Sequence, residues 1–224
     1  IVSAEALVRW FHEQKGFISP GQFIPALEKG GYISELDRYM IEKVTGCLDQ
    51  RRAEKKRFVP VSVNLSWMDF YDENMLEWIV RGLKKNNPNE QKIRFEITET
   101  SLAAIGENHT RMLMHLKENG AEILLDDFGS GYSSFGMLQD YDFDILKMDI
   151  SFVRNIGVNK KSESILRAII DMAHQLEIRL VAEGAETEEQ VAFLRENGCD
   201  YIQGYYYYKP MPEKEFLQLL DEGK

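Results

Sequence analysis

The chain has 224 residues, of which 44% are hydrophobic, and this length suffices for one well-buried core but is short for two full domains. Its formal net charge of -10 excludes a basic surface of the kind that binds DNA or anionic lipid, so polymeric nucleic acid is not an expected partner. The two cysteines lie in unrelated segments, and no apolar run approaches the roughly 20 residues that span a bilayer, which predicts a soluble cytoplasmic domain without membrane contact of its own.

Short segments typical of strands alternate along the chain with longer segments of helical period. The strands are predicted at residues 1–7, 60–65, 93–98, 122–126, 144–148, 179–183 and 201–203. Such alternation predicts a parallel sheet covered by helices. Because no long linker interrupts it, we expect one domain over residues 1–224 with a closed β/α barrel, and an open doubly wound sheet is the alternative. Barrels of this type have about eight strands, so one strand is expected before Ile1.

Two apolar stripes predict helices that pack on the sheet. The first stripe consists of Leu36, Tyr39, Met40, Val44 and Leu48, and the second of Ile165, Leu166, Ile169, Ile170 and Ala173. Thr187 with Gln190 forms a capping-box pattern at a helix start. The sequence Glu-Asn-Gly is expected to end two helices, at Gly120 and at Gly198, and each of these ends leads into a strand.

Polar side chains stand at or near the end of each predicted strand. They are Glu5, Asn64, Glu96, Asp126, Asp127, Lys147, Glu183 and Gln203. The loops after the strands of a β/α barrel build its active site. Burial of a single ionised carboxylate is energetically costly, whereas several carboxylates around a bound cation are stable together. All-oxygen ligands indicate a hard ion such as Mg²⁺ or Mn²⁺. For each acid taken singly, a helix-capping role is the alternative.

The remaining polar and aromatic motifs are less specific. The histidines form no close ligand pair, which disfavours zinc; they are His12, His109, His115 and His174. The tripeptide at 127–129 imitates the metal-binding tripeptide of kinases, but no glycine-rich loop precedes it and we reject that interpretation. Residues 129–134 predict a pliable loop, either a lid or an ordinary turn. The tyrosines at 205–208 are expected to pack strand and loop, with base stacking as a minor alternative.

Eight specific segments follow one another along the chain. They are EALVRW at 5–10, ISPGQFIPALE at 18–28, VNLS at 63–66, FEITET at 95–100, LDDFGSGYSS at 125–134, ILKMDISFV at 145–153, VAEGAET at 181–187 and IQGYYYYKP at 202–210. In this order, and over residues 5–211, they closely resemble the EAL-domain family of cyclic di-GMP phosphodiesterases. The resemblance implies an α/β fold, a modified TIM-like (β/α) barrel whose first, antiparallel strand would precede Ile1.

The resemblance also implies a role for each matched residue. One metal ion would be held by Glu5, Asn64, Glu96 and Asp126, and a second by Asp126, Asp127 and Glu183. Lys147, Asp127 and Glu183 would be the catalytic residues, with Lys147 assisting the attacking water. The substrate would be bound by Leu7, Arg9 and Gln203. Glu99 would tether the loop that contains Gly131 and Ser134, and Glu186 would support the metal shell.

The implied reaction is metal-dependent hydrolysis of cyclic di-GMP to linear 5'-pGpG with Mg²⁺ or Mn²⁺, two ions per site. Retention of the acidic residues favours an active enzyme, and a receptor that binds the nucleotide without cleaving it is the main alternative. A Schiff-base role of Lys147 is a third interpretation, which the surrounding acids disfavour because they keep the amine protonated. The resemblance further implies homodimerisation, sensory or GGDEF domains elsewhere in the chain, and bacterial second-messenger signalling, and it leaves a membrane anchor of the parent protein open.

Overall fold

A computed structural model describes residues 1–85, 93–105, 110–131 and 134–223 of the chain. The residues group into two compact units. The first comprises Ile1–Glu96, Ile105–Ala121 and Met211–Lys224, and the second comprises Ile97–Ala104 and Glu122–Pro210. Within the described residues, no helix combines the length and the apolar character needed to cross a membrane. The expectation of a single domain remains a prediction.

Helices and strands alternate as the sequence predicts. The strands are β1 (Ala4–Glu5), β2 (Trp10–His12), β3 (Gly16–Ile18), β4 (Val61–Asn64), β5 (Ile93–Thr98), β6 (Glu122–Phe128), β7 (Ile145–Met148), β8 (Arg179–Ala182) and β9 (Tyr201–Ile202). The helices are α1 (Pro20–Gly30), α2 (Ile33–Ala53), α3 (Glu73–Lys85), α4 (Glu99–Ile105), α5 (Thr110–Glu118), α6 (Ser134–Asp140), α7 (Ile150–Arg154), α8 (Lys160–Gln175), α9 (Glu188–Glu196) and α10 (Glu213–Asp221), with a 3-10 helix at Trp67–Tyr71.

The first unit contains three parallel strands, β1, β4 and the greater part of β5. Ala4 lies opposite Val61, and Val61 in turn lies opposite Ile93. These strands begin within the segments predicted for them. The antiparallel hairpin of β2 and β3 was not predicted, because strands of three residues are too short to show an alternating pattern.

Helix α2 of the first unit buries a different stripe from the one predicted. Val44 and Leu48 are buried as expected, whereas Tyr39 is 52% exposed and carries Lys43 over its ring. The prediction that Tyr39 is buried was wrong because it assumed that the apolar residues mark the buried face of the helix. The structure instead buries Asp37, an acid, at the core-facing position of that turn.

The second unit contains four parallel strands, β6 to β9. Ile145 lies opposite Arg179, and Val181 lies opposite Tyr201. Every residue of β7 is buried, as is typical of a strand covered on both faces. Of the stripe predicted for α8, four residues are buried, but Ile165 is 52% exposed and that part of the prediction was wrong. Together with β1, β4 and β5, these four strands account for the seven that the sequence predicts.

A side-chain capping box begins one helix, and glycines follow the ends of two helices. The capping box of Thr187 and Gln190 at the start of α9 is confirmed. Helices α5 and α9 both end in Asn-Gly, with φ of +88° at Gly120 and +80° at Gly198, a left-handed conformation that glycine adopts without strain. The prediction that both helices end at an Asn-Gly sequence is therefore confirmed.

Two aspartates form hydrogen bonds between neighbouring strands of the second unit, near the amino ends of these strands. Asp144 Oδ2 accepts a hydrogen bond from the Ile123 amide at 2.8 Å, and Asp200 Oδ2 accepts one from the Leu180 amide at the same distance. Each aspartate directly precedes a strand, β7 or β9, and bonds to the strand beside it. The opposite ends of the same strands carry the polar residues predicted to be functional.

Candidate metal centre

Strand β6 ends in two consecutive aspartates. The pairing of β6 with β7 shifts register between Leu125 and Phe128, so the ladder is irregular at Asp126 and Asp127. Asp127 has a φ of +57°, which places its backbone in the left-handed region. Adjacent residues of a regular strand point to opposite faces. The irregularity explains how two neighbouring carboxylates can serve one site.

The left-handed backbone at Asp127 is a feature expected of functional positions. Aspartate tolerates this conformation better than most residues other than glycine, at a cost that the surrounding structure must offset. Here the Asp127 amide donates to Asp126 Oδ1 at 2.9 Å, and the Asp127 carbonyl accepts from the Ser130 amide at 3.0 Å. These two bonds hold the turn that follows β6.

Three carboxyl groups of the second unit converge at the ends of β6 and β8. Oxygen atoms of Asp126, Asp127 and Glu183 all lie within 4.8 Å of one another. Asp126 is buried, and the other two are half-buried. A cluster of this kind concentrates negative charge where little water can screen it, so a cation would stabilise the cluster.

Lys147 of β7 supplies one such cation. Its Nζ lies 2.8 Å from Glu183 Oε1 and 3.2 Å from Asp126 Oδ1, and the residue is only 2% exposed. Strand β7 lies between β6 and β8, so a lysine at its carboxyl end reaches both acids. One ammonium group against three carboxyl groups still leaves the acids in excess.

The composition of this cluster fits a hard divalent ion. Carboxylate oxygens are the ligands that Mg²⁺ and Mn²⁺ prefer, and Mg²⁺ is commonly held in proteins by one or two carboxylates with water completing its coordination. Asp126, Asp127 and Glu183 provide carboxylate oxygens close enough together for this purpose. The residues present are therefore compatible with the predicted cofactor.

The position of Glu183 depends on the glycine that follows it. Gly184 has a φ of +74°, and a Cβ at this residue would collide with the side chain of Ile150 at the start of α7. Gly184 was not predicted to matter for the site. A glycine directly after a polar residue at a strand end was the available signal, and it recurs in Gln203-Gly204.

Glu99 and the loop after β6 are in direct contact, while the functional role predicted for Glu99 remains a prediction. The Gly129 amide donates to Glu99 Oε2 at 3.2 Å, and a Cβ on Gly131 would lie 2.7 Å from Glu99 Oε1. Glu99 is buried at the first turn of α4. A buried carboxylate thus holds the start of this loop, and a side chain at Gly131 would require Glu99 to shift.

Backbone hydrogen bonds join the loops that follow β8 and β9. The Ala185 amide donates to the Gln203 carbonyl at 3.2 Å, and the Tyr206 amide donates to the Ala185 carbonyl at 3.0 Å. A Cβ on Gly204 would overlap the backbone of Ala185. Gln203 and Glu186 are both exposed, and the Glu186 amide donates to Gln190 Oε1 at 2.7 Å. The roles predicted for the two side chains remain predictions.

The first unit carries its polar residues at the ends of neighbouring strands. Asn64 lies opposite Glu96, and Glu5 lies opposite Ser62, two residues before Asn64. Opposite residues of parallel strands, and alternate residues of one strand, share a face. Glu5, Asn64 and Glu96 therefore share one face of this part of the sheet, and Glu96 is almost fully buried there. Their role as metal ligands remains a prediction.

The residues predicted to bind substrate beside β1 are exposed. Leu7 is 40% exposed, and Arg9 donates to the Val8 carbonyl at 2.9 Å while its side chain faces solvent. Ser134 is the first residue of α6, but its side chain lies outside what the structure describes, as do His109, Tyr132 and Ser133. The lid or turn predicted at residues 129–134 is thus described only up to Gly131.

Comparisons of sequence and structure with known proteins agree with one another. The family model of the EAL domain matches residues 1–210. The chain is 34% identical over 217 residues to the cyclic di-GMP phosphodiesterase NbdA of Pseudomonas aeruginosa, with 96% of this chain and 28% of that protein covered. It is 36% identical over 214 residues to the cyclic di-GMP phosphodiesterase PdeR of Escherichia coli, with 96% and 32% covered.

Among solved structures, the chain is similar to the PaMucR phosphodiesterase in complex with c-di-GMP. The TM-score is 0.82 at 32% sequence identity, and the match covers 95% of this chain and 86% of that one. The predicted fold class, an α/β fold of the modified TIM-like barrel type, is confirmed by this likeness. The chain spans about a third or less of the length of the two curated relatives.

Proposed function

Because the chain belongs to the EAL domain family, we propose that it hydrolyses cyclic di-GMP to linear 5'-pGpG in a reaction that depends on divalent metal ions. One observation carries the proposal: the carboxyl groups of Asp126, Asp127 and Glu183 converge beside the buried ammonium group of Lys147. This arrangement combines ligands for a cation with a fixed positive charge, as phosphodiester hydrolysis requires.

In the proposed reaction, water attacks one phosphorus atom in line with the ester bond that breaks, and the released 3'-oxygen takes up a proton. A bound divalent ion would lower the pKa of water and offset charge on the phosphoryl group. Lys147, which Asp126 and Glu183 hold in place, would orient the attacking water and offset charge as it develops on the phosphoryl oxygens. Asp127 would contribute a carboxylate whose direction the turn after β6 fixes.

The remaining role assignments belong to the same proposal. We propose two ions, Mg²⁺ or Mn²⁺, with Glu5, Asn64 and Glu96 as further ligands. Arg9 would contact a substrate phosphate, and Gln203 would order water or substrate. Support comes from the positions of these residues: Glu5 and Asn64 end β1 and β4, Glu96 lies near the end of β5, Gln203 directly follows β9, and Arg9 lies in the loop after β1.

Since the matched relatives are much longer than this chain, the partners and surroundings of the parent protein are also proposals. We propose a homodimer, further sensory or GGDEF domains, and action in the cytoplasm. Each follows from the family, and each requires the full-length protein for its test.

The test replaces Asp127 by asparagine, which keeps the shape of the side chain and tolerates the left-handed backbone. We expect formation of 5'-pGpG with Mg²⁺ to fall by about 10² or more, because a charged ligand is lost from the cluster. Chromatography of the products after incubation with cyclic di-GMP measures this. Asp171→Asn, on an exposed position of α8, is the matched control and should retain wild-type turnover.

Two outcomes would contradict the proposal. Wild-type turnover by Asp127→Asn would remove Asp127 from the reaction. Binding of cyclic di-GMP by the wild-type chain without linear product, under both Mg²⁺ and Mn²⁺, would assign the chain to the receptors that bind this nucleotide without cleaving it.

A further inference from the structure

Two acids of the first unit are buried outside the metal centre. Asp37 lies on the core-facing side of α2, between the buried residues Ile33 and Ile41, and it is 7% exposed. Asp69 lies in the 3-10 helix and is 0% exposed. Acids are rarely buried to this degree unless they are paired or protonated. The proposed reaction uses neither residue.

Both carboxyl groups accept a hydrogen bond from the same backbone amide. The Ser66 N–H donates to Asp69 Oδ2 at 2.9 Å and to Asp37 Oδ2 at 3.1 Å. Ser66 is the N-cap of the 3-10 helix, and it follows the end of β4 by two residues. The pair of acids therefore holds the backbone directly after Asn64.

The geometry favours a proton between these acids. Asp69 Oδ1 is buried and accepts no hydrogen bond from any donor among the described residues as long as both carboxyl groups are ionised. A buried polar oxygen without a partner costs about 1 to 3 kcal/mol, and two adjacent buried carboxylates repel each other in addition. The Asp37 carboxyl lies within hydrogen-bond reach of Asp69. A single proton on the pair would remove both penalties.

The surroundings of the pair favour the bound proton. Burial, followed by the neighbouring Asp69, raises the pKa of Asp37 to about 9, and burial also raises the pKa of Asp69. Two further acids, Glu28 on α1 and Asp72 after the 3-10 helix, also raise the pKa of Asp37 and of Asp69 respectively. Hydrogen bonds with Asp37, Ser34 and the Ser66 amide act in the opposite direction and lower the pKa of Asp69, but burial has the largest effect.

Within the described residues, neither Asp37 nor Asp69 forms an ion pair with a cation of the remaining packed elements. Strand β4 has no charged residue. The charged residues of α3 and α2 near this region form exposed ion pairs with each other along their own helices, Glu77 with Arg81 and Arg38 with Glu42.

We propose that Asp37 and Asp69 share one proton and act as positioning residues, which fix the turn at Ser66 and thereby the end of β4 that presents Asn64. The part of this inference that concerns Asn64 rests on the proposed function, in which Asn64 is a metal ligand. Loss of the shared proton places two charges in the core, loosens the turn and weakens metal binding. Neither acid touches substrate or metal in this scheme.

The first experiment tests the shared proton without any reference to activity. A carboxyl group whose pKa is raised on folding contributes stability that is complete below its ordinary value of about 4 and is lost as the pH rises towards about 9. Asp37→Asn removes this titration and supplies an amide N–H for Asp69 Oδ1. We expect the stability of the wild-type chain to fall relative to that of Asp37→Asn over this interval, as measured by urea unfolding.

Tryptophan fluorescence is a suitable signal, since Trp67 lies in the 3-10 helix itself. Asp49→Asn, at an exposed position of the same helix α2, is the matched control and should follow the wild-type pH dependence. Asp69→Asn is a second variant, which removes the shared proton by replacing the other acid of the pair. Parallel stability curves for wild type, Asp37→Asn and Asp69→Asn would overturn the inference.

The second experiment tests positioning. Calorimetric titration with Mg²⁺ is done at about pH 7, where the pair keeps its proton, and at about pH 9, where about half of the chains have lost it. The Mg²⁺ affinity should fall measurably between the two for the wild type but not for Asp37→Asn, beyond any change common to both proteins. Where the wild type hydrolyses cyclic di-GMP, the alkaline decline of kcat/KM should likewise be smaller in Asp37→Asn. A purely structural acid pair would change stability and leave these differences at zero.

The two proposals fail separately. Equal pH dependence of Mg²⁺ affinity in wild type and Asp37→Asn overturns the positioning role, even if the wild type is a competent phosphodiesterase. Absence of hydrolysis by a wild-type chain that binds Mg²⁺ overturns the proposed function, while the Mg²⁺ titrations still decide the positioning role.

Discussion

Single residues of the candidate metal centre combine features that would each be unfavourable in isolation. Asp127 has a left-handed backbone, and Lys147 places an ammonium group where almost no solvent reaches it. Each is offset by a neighbour: a hydrogen bond to Asp126 in the first case, and ion pairs with Asp126 and Glu183 in the second. Residues held in this way have few alternative positions, which favours a pre-organised site.

Replacement of Lys147 by methionine tests how far its ammonium group stabilises the fold by balancing the charge of the nearby acids. Without the ammonium group, Asp126 and Glu183 lose a buried counter-charge, and we expect the free energy of unfolding to fall by about 3 to 5 kcal/mol in the absence of metal. Added Mg²⁺ should narrow this difference, because it offsets the same charges. Denaturant unfolding with and without Mg²⁺ measures both effects.

Lys161→Met, at an exposed position of α8, serves as the control and should leave stability nearly unchanged. A Lys147→Met variant as stable as the wild type in the absence of metal would show that the acids do not depend on the lysine for their charge balance.

At the scale of helices and strands, glycines set the distance between neighbouring loops. Gly204 allows the turn after β9 to approach the backbone of Ala185, whereas Gly46 in α2 has open space where a Cβ would lie. The same substitution should therefore have opposite effects at the two positions.

We expect Gly204→Ala to destabilise the chain by about 1 to 3 kcal/mol, because the added carbon overlaps backbone that cannot move without breaking hydrogen bonds. Gly46→Ala should stabilise it by about 0.5 to 1 kcal/mol through the helix propensity of alanine. Thermal unfolding of both variants provides the comparison. Equal effects of the two substitutions would contradict the close approach at Gly204.

Strand positions and helix ends could be predicted from the sequence because they depend on local patterns, such as Asn-Gly at the end of α9. The polar residues at strand ends could be predicted for the same reason. The buried face of α2 could not, since Asp37 occupies a core position that an apolar pattern assigns to its neighbours. The family resemblance implied that Asp126 and Asp127 serve one metal ion, but the irregular pairing of β6 that allows this has no signal in the sequence and required the structure.

At the scale of the whole chain, the charge balance determines how metal binding should be measured. A net charge of -10 means that any divalent ion stabilises the protein to some degree by general screening. Specific binding must exceed this effect. All three tryptophans, Trp10, Trp67 and Trp78, belong to the first unit, so their fluorescence does not report directly on Asp126, Asp127 and Glu183.

We expect Mg²⁺ at a hundred times its dissociation constant to stabilise the folded chain by about 2.7 kcal/mol, which corresponds to a rise in Tm of roughly 5 to 10 °C. Differential scanning calorimetry measures this without reference to one unit. Sodium chloride at the same ionic strength is the control for screening, and Asp127→Asn should show a clearly smaller rise. Identical shifts with the two salts would mean that the acidic cluster does not bind the ion.

The ion pairs of Lys147 also bear on the order of assembly. In small zinc-dependent domains the metal supplies the folding free energy, so the chain stays unfolded until metal arrives. Here an amine of the chain itself already compensates part of the charge at the ends of β6 and β8. Under the proposed function, we therefore expect the polypeptide to complete its folding during a shortage of divalent ions and to bind them afterwards. Metal supply would then control the proposed activity and not the amount of folded protein.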